Sequence, residues 1–164
     1  MDWAEKEVAS LELSKKLKEL GFPQNREGWY WIKTTYPVKW ILAIILDGIW
    51  LSVRNYIVIK DEVIEEIIKA PTNSELGEWL PPLLKIKDFI FFLVITQEFV
   101  GGEYEWRIYY AFDEVYSSTI LNNSSHWDLT EANARAKTVI WLKENGYITF
   151  NQGDKNNAQP RQQA

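Results

Sequence analysis

The residues that could do chemistry gather around one histidine. His126 is the only histidine of the chain, and Ser124, Ser125 and Asp128 lie next to it in the sequence. A Ser-His-Asp triad requires three side chains aligned in space, and closeness within a polar loop does not provide that alignment. Asp128 is better interpreted as a helix cap, because Glu131 follows it at capping-box spacing. We therefore predict no catalytic residue in this segment.

Metal, acid-base and phosphate chemistry also lack a signature in the sequence. One histidine and no cysteine exclude sites that need several histidine or cysteine ligands. The acid pairs Asp61-Glu62 and Glu65-Glu66 resemble ordinary surface charges, and nothing in the sequence complements them as a glycosidase-type pair. Neither GxGxxG nor GxxxxGK[ST] occurs. The sequence predicts no metal and no cofactor, and we expect a protein that is not an enzyme.

The net charge and the hydropathy pattern exclude some classes of binding partner. The net charge is −5, and binding to a phosphate backbone needs clustered Lys and Arg. The apolar run at residues 40–46 is far too short to span a bilayer. The start, MDWAEKEVAS, lacks the basic and apolar regions of a signal peptide. We expect a soluble, cytoplasmic protein that binds neither nucleic acid nor membrane.

Two β-rich runs joined by a glycine pair organise the chain. Residues 89–100 and 103–112 flank Gly101-Gly102, and both glycines can take the positive φ of a two-residue hairpin loop. This loop places Val100 opposite Glu103. One face of the hairpin is then almost wholly apolar, while the other becomes polar toward the tip. The pattern predicts an antiparallel hairpin with one buried face.

A second hairpin is predicted at Asp47-Gly48, a pair favoured in type I′ turns. It aligns Leu46 with Ile49 and gives one face that includes Leu42. We expect that face to be the core face, which leaves Trp50 on the reverse side.

Helix signals flank the hairpins. Residues 3–20 have helical spacing, with Asp2 as cap and Gly21 as stop. Residues 61–69 are ambiguous, and the spacing slightly favours a short helix over a strand. Thr72 opens a capping box with Glu75. The remaining predictions are a strand at 28–33, a continued or new strand at 56–60, a short segment at 116–120, a polar loop at 121–126, and a last helix that begins at Asp128 or Thr130 and ends at Gly146.

These elements predict an α+β fold. We expect a single domain over residues 1–150, with a mainly antiparallel sheet built from the two hairpins. The N- and C-terminal helices pack on one face of that sheet, since each alternating hydrophobic face needs a covering layer. Residues 151–164 have the composition of a flexible polar tail.

Three aromatic residues are not buried by the predicted packing of helices on the sheet. Trp50 and Tyr109 lie on the faces of their hairpins opposite the predicted core faces, and Trp141 lies opposite the Ala132–Ala136 stripe of the last helix. Trp and Tyr commonly anchor protein interfaces, so we predict these three as binding residues. The alternative is that a further layer of the fold covers them.

Several segments resemble a known group of proteins. They are LSKKLKELGFPQ (13–24), WYWIK (29–33), APTNSELGEWLP (70–81), WRIYY (106–110) and ANARAKTVIWLKENGYI (132–148). Together they resemble a family of small uncharacterised proteins encoded by bacteriophages, prophages and other mobile elements. The resemblance implies an α+β domain of mobile-element origin. It transfers no active site, because the shared motifs are caps, stops and packing positions.

The predicted function is that of a phage or mobile-element accessory protein in a bacterial cell. Its partner is expected to be a host or phage protein, most plausibly one of host defence. The alternative is a protein that binds or sequesters a nucleotide-type small molecule. A pocket lined by Trp and by Arg or Lys would favour the alternative, and a flat aromatic patch would favour a protein partner. A cleft with two carboxylates of raised pKa would instead favour an enzyme.

Overall fold

A computed structural model describes residues 3–24, 28–54, 58–112, 119–121 and 124–150. The helices in these ranges are α1 (Trp3–Glu7), α2 (Leu11–Glu19), α3 (Asn73–Gly77) and α4 (Glu131–Glu144). The strands are β1 (Gly28–Thr35), β2 (Val38–Leu46), β3 (Ile49–Ser52), β4 (Val58–Ile59), β5 (Ile64–Lys69), β6 (Leu83–Ile86), β7 (Phe89–Val100), β8 (Glu103–Phe112), β9 (Thr119–Ile120) and β10 (His126–Asp128). None of the helices in these ranges combines the length and the apolar composition needed to cross a membrane.

The strands form two antiparallel sheets, which confirms the predicted α+β class. The first sheet has the order β4-β3-β2-β1-β5, and the second has the order β10-β8-β7-β6 with β9 also paired to β8. The two predicted hairpins are therefore in separate sheets rather than in a common one. Strands β1 and β5 extend the sheet of the first hairpin, and strands β6 and β10 extend the sheet of the second.

Both hairpins have the predicted register. Leu46 lies opposite Ile49, and Val100 lies opposite Glu103. Asp47 and Gly48 have φ values of 49° and 80°, as a turn with two left-handed residues requires. Local turn chemistry therefore fixes which side chains share a face of each hairpin.

The N- and C-terminal helices pack on each other and connect the sheets. Helix α4 contacts β8 and β10 of the second sheet, while α2 contacts both α4 and β5 of the first sheet. The predicted stripe of α4 is buried as expected, with Ala132, Ala136 and Val139 fully covered. The largest core cluster contains Ala9, Leu17, Phe22, Leu76, Leu80, Leu84, Phe91, Tyr110, Ala136, Val139, Ile140, Leu142 and Ile148.

The predicted single helix at 3–20 is wrong, because the chain leaves the helical path between α1 and α2. Val8 forms an isolated antiparallel bridge with Thr72, and the Ala9 amide donates to the Pro71 carbonyl over 2.9 Å. Ser10 then caps α2 with its side chain. A long-range backbone pairing therefore overrides the helical spacing at these positions.

The slight preference for a helix at 61–69 is also wrong. Asp61–Val63 form a single 3-10 turn, and β5 follows and pairs antiparallel with β1. Ile68, opposite Trp31, is buried. The β-branched residues of this segment pack well on a pleated surface, and β1 offers them an open edge.

The segment before α4 differs from the predicted loop. His126 begins β10 and lies opposite Ile108 of β8. Thr130, the later of the two predicted starts, is the cap of α4, and Asp128 accepts a hydrogen bond from the Thr130 amide over 3.2 Å. The helix ends before Gly146 as predicted, with φ 75° at that glycine.

Some predictions fall outside the described residues. These are the Asp2 cap, parts of the segments 56–60 and 116–120, two residues of the 121–126 loop, and the 151–164 tail.

Candidate functional site

The three predicted binding residues lie on different elements with different neighbours. Trp50 lies on β3, Tyr109 on β8 and Trp141 on α4, and all three side chains are half-buried. They do not converge on one site, so each environment is described separately.

Trp50 packs against the interior of the first sheet. Its ring meets Tyr30 edge-to-face, with ring centroids 5.3 Å apart, and Tyr30 is buried. The expected single core face is therefore wrong, because Leu42 is buried on one face and Ala43 on the other. Leu46, expected in the core, is 50% exposed. The contact with Tyr30 therefore accounts for part of the burial of Trp50.

Trp141 lies in an open groove between α2, α4 and β10. The groove has a volume of about 580 Å³. Its charged lining consists of three lysines and three glutamates, so the groove has no net charge. The Trp141 ring centroid lies 6.2 Å from that of His126 and 5.2 Å from that of Tyr147. These contacts attach Trp141 to the edge of the core.

His126 lies in the same groove with an unused ring nitrogen. Its buried Nε2 has no hydrogen-bond partner among the described residues. Burial, and to a smaller extent the positive charge of Lys137, lower the pKa of His126 to about 4. The imidazole is therefore neutral at physiological pH.

The neighbours of His126 are engaged elsewhere. The Ser124 hydroxyl accepts a hydrogen bond from the Tyr110 amide, and the Ser125 hydroxyl accepts one from Arg107 Nε over 3.0 Å. Asp128 forms an ion pair with Lys137 at 2.8 Å. The geometry therefore gives no support to a Ser-His-Asp triad in this segment.

We predict that His126 makes folding stability depend on pH. Because the pKa is depressed in the folded protein, the unfolded chain binds more protons between pH about 6.5 and about 4. The contribution of His126 is therefore fully present above pH 6.5 and is lost as the pH falls toward 4. Urea unfolding of the wild type and of His126→Leu at several pH values measures this. The stability difference between the two proteins should change across that window, and a constant difference would contradict the prediction.

Tyr109 lies on the face of the second sheet that is turned away from the core. Its neighbours in β8, Ile108 and Tyr110, are fully buried on the opposite face. The guanidinium carbon of Arg107 lies 4.5 Å from the Tyr109 ring centroid and 4.7 Å from that of Trp127. Two aromatic rings and one guanidinium therefore form a stacked group on this face.

Apolar side chains extend this group across the sheet. Strand register places Leu83 beside Phe92, and Ile90 lies two residues before Phe92 on the same face. Leu83, Ile90 and Phe92 are 47%, 44% and 42% exposed. We call this surface the outer face, defined by Leu83, Ile90, Phe92, Val94, Arg107, Tyr109 and Trp127. It is a broad, mainly apolar surface with two cations, Arg107, which pairs with Glu98 at 3.4 Å, and the exposed Lys85 opposite Ile90.

The length of β7 leaves further apolar side chains exposed at the two ends of the opposite, core-facing side of the sheet. The strand has 12 residues and a length of about 40 Å, whereas α4 has 14 residues and a length of about 21 Å. A single helix therefore cannot cover the whole strand. Phe89 remains exposed at one end of β7 and Phe99 at the other.

Sequence reasoning identified Tyr109 but missed Leu83, Ile90 and Phe92. A signal was present, because the run FIFFLVI at 89–95 is apolar at both odd and even positions. Such a run indicates that both faces of the strand are apolar.

Neither metal-binding side chains nor comparison with known proteins assigns a function to the described residues. No group of three or more His, Asp or Glu side chains in the described part of the chain is placed to hold a metal ion. A comparison with protein-family models, curated proteins and solved structures finds no match to this chain.

Proposed function

We propose that the protein is a non-enzymatic protein-binding module and that the outer face is its contact surface. The partner is a host or defence protein in the bacterial cell. The resemblance of the sequence to phage and mobile-element proteins supports that choice of partner. The structure supports the choice of surface.

One observation carries the proposal: the sheet face that holds Tyr109 also carries three large, half-exposed apolar side chains on the neighbouring strands β6 and β7. Folded monomers rarely expose large contiguous apolar patches, and such patches mark interaction sites. Tyr, Trp and Arg are enriched where binding energy is concentrated, and Arg107, Tyr109 and Trp127 form one stacked group here. The outer face therefore combines a broad apolar surface with residue types that are enriched at protein interfaces.

The remaining exposed area is large enough to affect affinity. Complete burial of a Leu, Ile or Phe side chain contributes about 1.5–3 kcal/mol. Leu83, Ile90 and Phe92 are already about half covered, so a partner gains roughly 1 kcal/mol from each. Three such contributions correspond to about a 100-fold change in the dissociation constant.

We expect Leu83→Asp to lower partner capture at least about 10-fold. Leu83 lies on an edge strand and is half-exposed, so the substitution places a charge on the outer face with little change to the core. The measurement is affinity capture from bacterial lysate, with bound proteins quantified by mass spectrometry.

The matched control is Ile49→Asp, which introduces the same charge at an equally exposed residue of the first sheet. A protein that the wild type and Ile49→Asp retain should be at least about 10-fold depleted with Leu83→Asp, the change expected from 1.4 kcal/mol. The proposal is wrong if both variants retain the same proteins as the wild type.

A further inference from the structure

We propose that a cleft between α1 and the first sheet binds a planar aromatic anion of nucleotide size. The cleft has a volume of about 520 Å³, within the range of about 300–1,000 Å³ typical of small-molecule sites. It is lined by Ala4 and Glu5 of α1 and by residues of β1, β2 and β3. The site is on the first sheet and goes beyond the protein contact proposed for the second.

Two tryptophans form the aromatic wall of the cleft. Trp31 lies opposite Leu42, and Trp40 lies two residues before Leu42 on the same face. Such diagonal neighbours have Cα atoms about 7–8 Å apart, within reach of aromatic side chains, so both indoles can contact one ligand ring. Trp31 is held in place, because its Nε1 donates to the Ala9 carbonyl over 3.0 Å. The apolar Leu42 side chain lies between them in the lining.

Positive charge lines the same cleft. Lys39 and Arg54 are both exposed lining residues, and neither forms an ion pair with any described residue. Lys15 of α2 lies outside this lining, although its Nζ is 4.7 Å from the Trp40 ring centroid. Glu5 is the acidic residue of the lining. The cleft therefore has a local positive charge in a chain whose net charge is −5.

The two features together specify the ligand class. Aromatic side chains stack on the flat face of any base, and Arg binds phosphate or carboxylate through paired hydrogen bonds. A ring without a charge leaves Lys39 and Arg54 without an ion-pair partner among the described residues, and an anion without a ring makes no stacking contact with the two indoles of the lining. A ring that carries a phosphate satisfies both, as a mononucleotide does.

The test is isothermal titration calorimetry of the full chain with AMP, GMP, CMP and UMP. We expect at least one of them to bind with a Kd below about 1 mM, and adenosine and inorganic phosphate to bind at least about 10-fold more weakly. Absence of saturable binding by all four mononucleotides would overturn the proposal. So would equal binding of inorganic phosphate, which would show a simple anion site.

Two variants locate the site. Trp40→Leu removes one aromatic wall, and Arg54→Gln removes one exposed cation without any change to the core. We expect each to weaken mononucleotide binding at least about 10-fold, a difference of 1.4 kcal/mol. Lys85→Gln, a cation on β6, and Leu83→Asp should leave it unchanged, which separates this site from the outer face. Unchanged binding by Arg54→Gln would overturn the assignment even if Trp40→Leu failed to fold.

Discussion

Replacement of Tyr110 by alanine is expected to lower the free energy of unfolding by about 3–5 kcal/mol, as for other buried aromatic residues. Tyr110 is fully buried in the main core cluster. Its hydroxyl donates to the Pro81 carbonyl over 2.7 Å, which connects β8 to the chain after α3. Burial raises the pKa of the Tyr110 hydroxyl above its usual range, consistent with a phenol that stays protonated. Alanine would leave both a cavity and an unpaired carbonyl.

Equilibrium urea unfolding measures the effect, and Tyr110→Phe separates its two causes. Phenylalanine keeps the ring and removes only the hydroxyl, so it should cost about 1–3 kcal/mol. The control is Tyr104→Ala on the same strand, where the side chain is 63% exposed and the cost should stay within about 0.5 kcal/mol. Equal costs for Tyr110→Ala and Tyr104→Ala would contradict the placement of Tyr110 in the core.

Substitution of Glu75 by glutamine should cost about 3 kcal/mol, the lower end of the range for breaking a buried ion pair. The Glu75 carboxylate lies 2.8 Å from Lys69 Nζ, and the Lys69 side chain is only 1% exposed. Glu75 also accepts the Thr72 amide in the predicted capping box. Glutamine can keep that hydrogen bond. The loss of folding stability therefore measures mainly the effect of removing the negative charge opposite Lys69. The side chain of Glu75 is 34% exposed, which is why the lower end applies.

The matched control is Glu66→Gln. Glu66 pairs with Lys18 at 3.5 Å, and both side chains are about 40% exposed. Solvent screens such a pair, so its loss should change stability by less than about 1 kcal/mol. Thermal and urea unfolding of both variants gives the comparison. A Glu75→Gln protein as stable as Glu66→Gln would mean that Lys69 does not depend on this carboxylate.

The features that sequence reasoning predicted correctly depend on residues close together in the chain. The Gly101-Gly102 and Asp47-Gly48 turns fix two registers by their own φ preferences. The Thr72 capping box needs only three further residues. Such local rules predicted both hairpins and the third helix.

The features that sequence reasoning missed depend on contacts between residues far apart in the chain. Strand β6 has four residues after Pro81-Pro82 and exists through its pairing with β7, where Leu84 lies opposite Phe91. The break before α2 depends on Thr72, more than sixty positions away. Periodicity within a segment contains no information about such pairings, so β6 and the break could not be predicted from it.

The same limit applied to the candidate sites. Alternation along β8 correctly put Tyr109 opposite the buried Ile108 and Tyr110. The packing of Trp50 against Tyr30 was not predicted, because Tyr30 comes from another part of the chain. The cleft at Trp31 and Trp40 depends on α1 lying over the first sheet, which local pattern does not specify.

Site-specific photo-crosslinking at Tyr109 tests the central claim most directly. A benzophenone amino acid replaces Tyr109 in one protein and the exposed Tyr36, in the turn between β1 and β2, in another. Both are expressed in bacterial cells and irradiated. A protein contact through the outer face predicts a discrete cross-linked partner from position 109 that is absent from position 36 and lost when Leu83→Asp is added. Cross-links that are the same at both positions, or that persist with Leu83→Asp, would contradict it.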